Sequence, residues 1–182
     1  RRGQELDRVK SEIEAGGGEA AVLAGDVADE SYAGALIDLA MSRFGSLHIA
    51  FNNAGATGEM GESHTVSLDG WKHTIDTNLT GAFLGAKHQI PAMLENGGGS
   101  IIFTSTFVGY TVGMPGMAAY AAAKAGVVGL TQVLAAEYGP RGIRVNALLP
   151  GGTDTPAATF KTTEERSFVE GLHALKRVAE PE

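Results

Sequence analysis

Residues 100–126 read SIIFTSTFVGYTVGMPGMAAYAAAKAG. Ser100 to Ser105 is an apolar run of strand length, the loop that follows is rich in Gly and Thr up to Pro115, and Ala118 opens an alanine-rich segment that propensity favours as helix. Strand, loop and helix in that order form one unit of an α/β sheet. Tyr120 and Lys124 stand four residues apart in the helical part, so both side chains leave the same face of one turn. A neighbouring ammonium lowers the proton affinity of a phenol, whose free pKa near ~10 is too high for acid/base work at neutral pH. Taken alone, Tyr-x-x-x-Lys on a helix is more often a solvated surface pair, so its meaning depends on the rest of the chain.

Working outward, the same alternation recurs. The helix of Tyr120 runs to Tyr138, where Gly139-Pro140 breaks it, and Ile143 to Leu149 is a strand that Pro150-Gly151-Gly152 turns out of the sheet. Upstream, Leu68 to Leu94 reads as one long helix with a break expected near Pro91, ended by Asn96-Gly97-Gly98-Gly99. Leu47 to Phe51 is a strand of the buried parallel type, running directly into Asn52-Asn53-Ala54-Gly55. Before it, Asp29 caps a helix carrying Leu36, Leu39 and Ala40 towards Phe44, Ala20 to Ala24 reads as a short strand closed by Gly25-Asp26-Val27, and Glu5 to Ala15 places Leu6, Val9 and Ile13 at helical spacing. Such alternation predicts an α/β fold: a three-layer, doubly wound parallel sheet with helices on both faces. Ligands of these sheets sit beyond the carboxyl ends of the strands. The polar clusters lie there: Asp26, then Asn52 and Asn53, then Ser105 and Thr106, then Thr153 and Thr155.

Composition bounds the function. The chain has 182 residues, enough for one domain with a sizeable core, with 43% hydrophobic and 19% charged residues. A net charge of -7 supplies no basic stripe for nucleic acid. Cysteine is absent, which excludes disulfides and thiolate metal sites and fits a reducing cytoplasm. No apolar run reaches membrane-spanning length without a charge, since Lys124 interrupts the Ala-rich helix, and the first residues lack the apolar core of a signal peptide. The five histidines, His48, His64, His73, His88 and His173, show no metal-ligand spacing and read as structural, and Trp71 reads as a core anchor.

In chain order, Gly25-Asp26-Val27, Asn52-Asn53-Ala54-Gly55, Asn78 in Asp76-Thr77-Asn78-Leu79, Tyr120-Ala121-Ala122-Ala123-Lys124, and Arg144-Val145-Asn146 followed by Pro150-Gly151 resemble the motif set of the short-chain dehydrogenases/reductases. Each motif is weak by itself; five in order at the expected strand and helix ends are specific. The resemblance implies a Rossmann-type sheet and a reaction between a nicotinamide cofactor, NAD or NADP, and a small carbonyl or alcohol substrate. It also implies a chain incomplete at both ends, because the family's glycine-rich phosphate loop would precede Arg1 and its last helix and strand would follow Glu182. That absence puts cofactor binding by this polypeptide in question.

By the same resemblance, Tyr120 is the acid/base, Lys124 bonds the nicotinamide ribose and lowers the Tyr120 pKa, and Asn78 holds a water that relays protons from Lys124. Thr106, with Ser105 as the second choice, stands where the family has a serine that orients the substrate oxygen. Asp26 and Val27 are implied at the adenine, Asn53, Ala54 and Gly55 along the adenosine ribose, and Pro150, Gly151, Thr153 and Thr155 at the carboxamide and pyrophosphate. Arg1 or Arg2 would suit a 2′-phosphate and tilts the expectation to NADP. Residues 154–175 correspond to the family's substrate lid, and the helices at 68–94 and 118–138 to its usual homodimer or homotetramer surfaces. A cofactor-sensing or otherwise non-catalytic protein on the same fold, or an inactive fragment, is the alternative.

Overall fold

The protein's structure, a computed structural model, describes residues 3–155 and 162–181. The Arg1 and Arg2 expectations and the middle of the 154–175 segment lie outside those residues.

Three strands, β1 (Ile49–Asn52), β2 (Gly99–Thr104) and β3 (Ile143–Leu148), form a parallel sheet in sequence order. Helices α1 (Gly3–Ala15), α2 (Glu30–Phe44), α3 (Leu68–Ile75), α4 (Gly81–Glu95), α5 (Ala118–Tyr138) and α6 (Thr163–Leu172) alternate with them. Asp29 caps α2 as expected, accepting from the Ser31 N–H, and Gly45 ends it in the left-handed region at φ 77. The register aligns Ala50, Ile101 and Val145 across the sheet. With Phe103, Ile143, Met93, Val127 and Leu134 they form the core beneath α4 and α5.

The parallel sheet with alternating helices is the α/β fold that the sequence predicts. Ile49 and Phe51 of β1 are 68% and 58% exposed, although both are large and apolar. Among the described residues Ala20 to Ala24 pairs with no strand, and the Tyr32 hydroxyl donates to the Leu23 carbonyl. A strand needs a partner edge as well as a pattern, and only the pattern is visible in the sequence.

The long helix also breaks elsewhere than expected. Pro91 lies inside α4 at an exposed position, where the Lys87 carbonyl it leaves unbonded can meet water, and the helix continues. The irregularity is a π-turn at Asp76–Thr80, between α3 and α4, centred on the buried Asn78. Trp71 is 39% exposed and so is not the core anchor expected of it. By length and composition alone the Ala118–Arg141 segment could cross a membrane. It packs against β3 and carries the buried Lys124 and Thr131, as the central helix of a folded core does.

Candidate active site

The alanines around Tyr120 have a packing purpose. Ala119 and Ala123 are buried, and a Cβ on Gly126 would stand 2.8 Å from a Leu79 methyl, so α5 approaches the π-turn closely only because its face is small. That approach sets Lys124 beside the loop after β1. Lys124 is 3% exposed; its Nζ donates to the Thr104 carbonyl at 2.7 Å and lies 5.8 Å from the centre of the Tyr120 ring. No carboxylate forms an ion pair with it among the described residues.

The two candidate hydroxyls part company. Ser105 is buried and donates to the Lys124 backbone carbonyl at 2.8 Å, clamping β2 to α5. Thr106 accepts from the Val108 N–H at 3.4 Å, and its hydroxyl faces the Tyr120 phenol closely enough to favour the phenolate. The geometry thus leaves Thr106 at the site and gives Ser105 a structural bond.

Electrostatics differ from the expectation that Lys124 lowers Tyr120. Burial pushes the half-buried Tyr120 phenol up, with the Thr106 hydrogen bond opposing, and burial pushes the Lys124 ammonium down. Both shifts share one cause: the two groups are desolvated together, and Lys124 spends its shortest contact on a carbonyl.

Asn78 stands close to Lys124 across Gly55 and also ties the β1 loop. Its amide donates to the Ala56 carbonyl (2.8 Å) and the Thr74 carbonyl (2.9 Å), and its Oδ1 accepts from the Ala56 N–H (3.2 Å). With both N–H groups committed, the side chain anchors the loop, and a water between it and Lys124 would be held on the Asn78 side by oxygen acceptors only. Gly55 lies between these residues: a Cβ there would fall 2.7 Å from Asn78 Oδ1 and 3.2 Å from Lys124 Nζ. Asn53 accepts from the Thr104 hydroxyl at 2.8 Å, and Asn52 exchanges two 2.9 Å bonds with the Gln89 amide. The asparagine pair therefore ties the β1 loop to β2 on one side and α4 on the other.

Asp26, Val27, Ala54 and Gly55 come together around one cleft of about 530 Å³, and Asn53 and Asn78 border a smaller adjoining one of about 150 Å³. Leu23, Tyr32 and Thr77 also line the larger cleft and went unnoticed in the sequence. The signal for Tyr32 was Gly25, where any Cβ would meet the Tyr32 ring. Apolar walls from Leu23, Val27 and Ala56, with the carboxylates of Asp26 and Glu5 at the same cleft, could take an adenine ring and its amino group. Asp26 Oδ1 also accepts from the Ala28 N–H at 3.1 Å. On the other side of the site the Pro150 carbonyl accepts from the Phe107 N–H, Gly151 abuts His173, and Thr153 bridges to Ala179. No hydrogen bond among the described residues joins Thr155 to the Tyr120 cluster, and those residues hold no group of three or more His, Cys, Asp or Glu arranged for a metal.

The family described as enoyl-(acyl carrier protein) reductase matches residues 1–182. A cyclohexanol dehydrogenase from Acinetobacter sp. is 41% identical over 176 residues, covering 96% of this chain and 68% of that protein. A 3beta-hydroxysteroid dehydrogenase from Eggerthella lenta is 41% identical over 172 residues, covering 93% of this chain and 66% of the relative. The crystal structure of carveol dehydrogenase from Mycobacterium avium in complex with NAD superposes with a TM-score of 0.89 at 28% identity, over 97% of this chain and 69% of that one. The chain thus spans about two thirds of the length of the proteins it matches.

Proposed function

This chain belongs to the short-chain dehydrogenase/reductase family of NAD(P)-dependent oxidoreductases, which act on alcohols and ketones, and from that premise we propose that it interconverts a ring-borne secondary alcohol and its ketone, with Tyr120 as the acid/base. The observation that carries this reading is Tyr120 held on one helix face with the buried Lys124, whose Nζ lies 5.8 Å from the ring centre, with Thr106 near enough to act on the phenol. A single substrate oxygen requires two hydroxyls, one that orients it and one that exchanges its proton, and Thr106 and Tyr120 would take those parts. The ring preference is supported by the relatives, named for cyclohexanol, a hydroxysteroid and carveol.

When bound, the nicotinamide supplies the hydride acceptor or donor. The chain's residues do the rest. Tyr120 takes the hydroxyl proton in the oxidative direction and returns it in the reductive one, Thr106 holds the oxygen in line and opposes the rise of the phenol's pKa, and Lys124 holds the nicotinamide ribose. Asn78 and Gly55 position Lys124 by fixing the loop against it. Asp26, Val27, Ala54 and Gly55 form the adenosine cleft. A preference for NADP over NAD rests on the sequence alone, in which Arg1 or Arg2 would suit a 2′-phosphate. Exposed Phe83 on α4 and Val133 on α5 support a homodimer or homotetramer through those helices, and the cysteine-free composition suits a reducing cytoplasm. A non-catalytic nucleotide sensor would have no use for Tyr120 and Lys124 held together.

The test is oxidation of cyclohexanol against an open-chain secondary alcohol of equal carbon number, with NAD and with NADP, followed by the absorbance of the reduced nicotinamide. Cyclohexanol is expected to show a kcat/KM higher by about tenfold or more. Equal values would remove the ring preference, and no turnover of either alcohol with bound coenzyme would remove the dehydrogenase reading. A second expectation separates the hydroxyls. Thr106→Val should cut kcat by roughly 10–100-fold with stability nearly unchanged, whereas Ser105→Ala should cost about 1–2 kcal/mol in urea unfolding and leave kcat near that of the parent. The reverse pattern would exchange their roles.

A further inference from the structure

His173 follows the last residue of α6 and touches three elements. Its Nε2 accepts from the Gly152 N–H at 2.8 Å, its Nδ1 donates to the Val169 carbonyl at 2.7 Å, and its ring lies 5.2 Å from that of Phe107, the residue after Thr106. A Cβ on Gly151 would meet the ring at 2.3 Å, so the Pro150–Gly152 turn lies directly on it. The two hydrogen bonds fix the neutral tautomer with its proton on Nδ1. The surroundings close the same neck. Asp154 N–H donates to the Ala179 carbonyl and Ala179 N–H to the Gly152 carbonyl, while Arg166 of α6 pairs with both Asp154 and Glu170.

We propose that His173 is a positioning residue that docks helix α6 onto the turn after β3 and the loop after β2, and that it does so only while neutral. A proton on Nε2 would set two N–H groups against each other at Gly152, so protonation releases the helix from the turn. The charged and titratable groups on the elements packed against the ring are Asp154 on the turn, Glu164, Glu165, Arg166 and Glu170 on α6, Lys176 and Arg177 after it, and Tyr110 on the loop of Phe107. Arg166 is held between its two carboxylates and Lys176 Nζ donates to the Gly171 carbonyl. The segment containing Phe107 brings no carboxylate, ammonium or guanidinium between Ser105 and Met117. The consequence for catalysis rests on the dehydrogenase reading: with Pro150 and Gly151 at the coenzyme and Phe107 beside Thr106, loss of the dock weakens coenzyme binding and leaves the Tyr120–Lys124 pair in place.

The experiment is hydrogen–deuterium exchange of the ligand-free protein near pH ~8 and pH ~5.5, corrected for intrinsic rates, with His173→Phe and His173→Gln. The first variant keeps a ring on Phe107 and loses the acceptor; the second keeps an uncharged acceptor. In His173→Phe the α6 amides should exchange about tenfold faster at both pH values with α5 unchanged, while His173→Gln should resemble the parent near pH ~8 and lose the parent's acceleration near pH ~5.5. Unchanged α6 exchange in His173→Phe overturns the docking role, and equal α6 protection of the parent at both pH values overturns the protonation step. If His173→Phe does not fold, the parent's pH response and its absence in His173→Gln decide. Coenzyme titration is read separately: His173→Phe should raise the coenzyme KM several-fold with kcat spared, and His173→Gln should restore it. A parent that binds no coenzyme would defeat the dehydrogenase reading, whereas the exchange result would still judge the dock.

Discussion

Tyr120→Phe is expected to lower turnover by roughly 10²–10⁴-fold while the affinity for reduced coenzyme, measured by fluorescence titration, changes by less than about twofold. The substitution removes one oxygen and keeps the half-buried ring that packs near Lys124. The pH dependence gives the sign. Burial holds the Tyr120 phenol above its ordinary range, so at neutral pH it carries its proton and serves directly as the acid for ketone reduction. In alcohol oxidation the phenolate is the working form, so kcat/KM should climb with pH into the alkaline range, and the climb should vanish in Tyr120→Phe. By linkage, the raised value stabilises the fold below the unfolded phenol's pKa of about 10, and that contribution is lost as pH rises through the folded value. Undiminished turnover in Tyr120→Phe would remove the tyrosine from the chemistry.

Lys124→Met should abolish measurable turnover and at the same time raise the thermal midpoint by about 2–4 °C, the equivalent of about 1 kcal/mol in a domain of this size. Lys124 is nearly fully buried, its ammonium has no ion-pair partner among the described residues, and burial holds it below its ordinary range. A group whose folded pKa is depressed stabilises the fold above its unfolded value, about 10.4 for lysine, and loses that contribution as pH falls through the folded value. At neutral pH the ammonium is therefore retained against the interest of stability. Methionine fills a similar volume without charge, and the lost bond to the Thr104 carbonyl offsets only part of the gain. Calorimetry and a turnover assay on the same preparation check both halves; a lowered midpoint would show that the lysine serves the fold as well as the site.

Much of this site was legible because its parts are short and local. Tyr120 and Lys124 share a helix, and Asn52-Asn53-Ala54-Gly55 directly follows a strand, so spacing and strand-end position sufficed to mark them. The choice between Ser105 and Thr106 was not legible. Adjacent residues at a strand end point in opposite directions, and which one meets α5 depends on how the helix crosses the sheet. At Asn78 and Gly55 the structural part was not legible: the amide secures a loop 22 residues away, and the glycine makes room for Asn78 and Lys124. His173 read as merely structural because its partners, Gly152 and Phe107, are 21 and 66 residues away in the chain.

The sequence by itself determined the alternation of strand and helix, the parallel sheet, the strand ends where polar residues gather and the helix that carries the acid/base pair, because periodicity, propensity and turn residues act over a few neighbours. The tertiary structure alone decided which elements found partners. It moved the helix irregularity from Pro91 to the π-turn at Asn78, gave Ser105 and not Thr106 the bond to α5, and joined the Gly152 turn to α6 through one imidazole. These outcomes depend on where distant surfaces meet, and burial and hydrogen bonding across such distances leave no periodic trace in the chain.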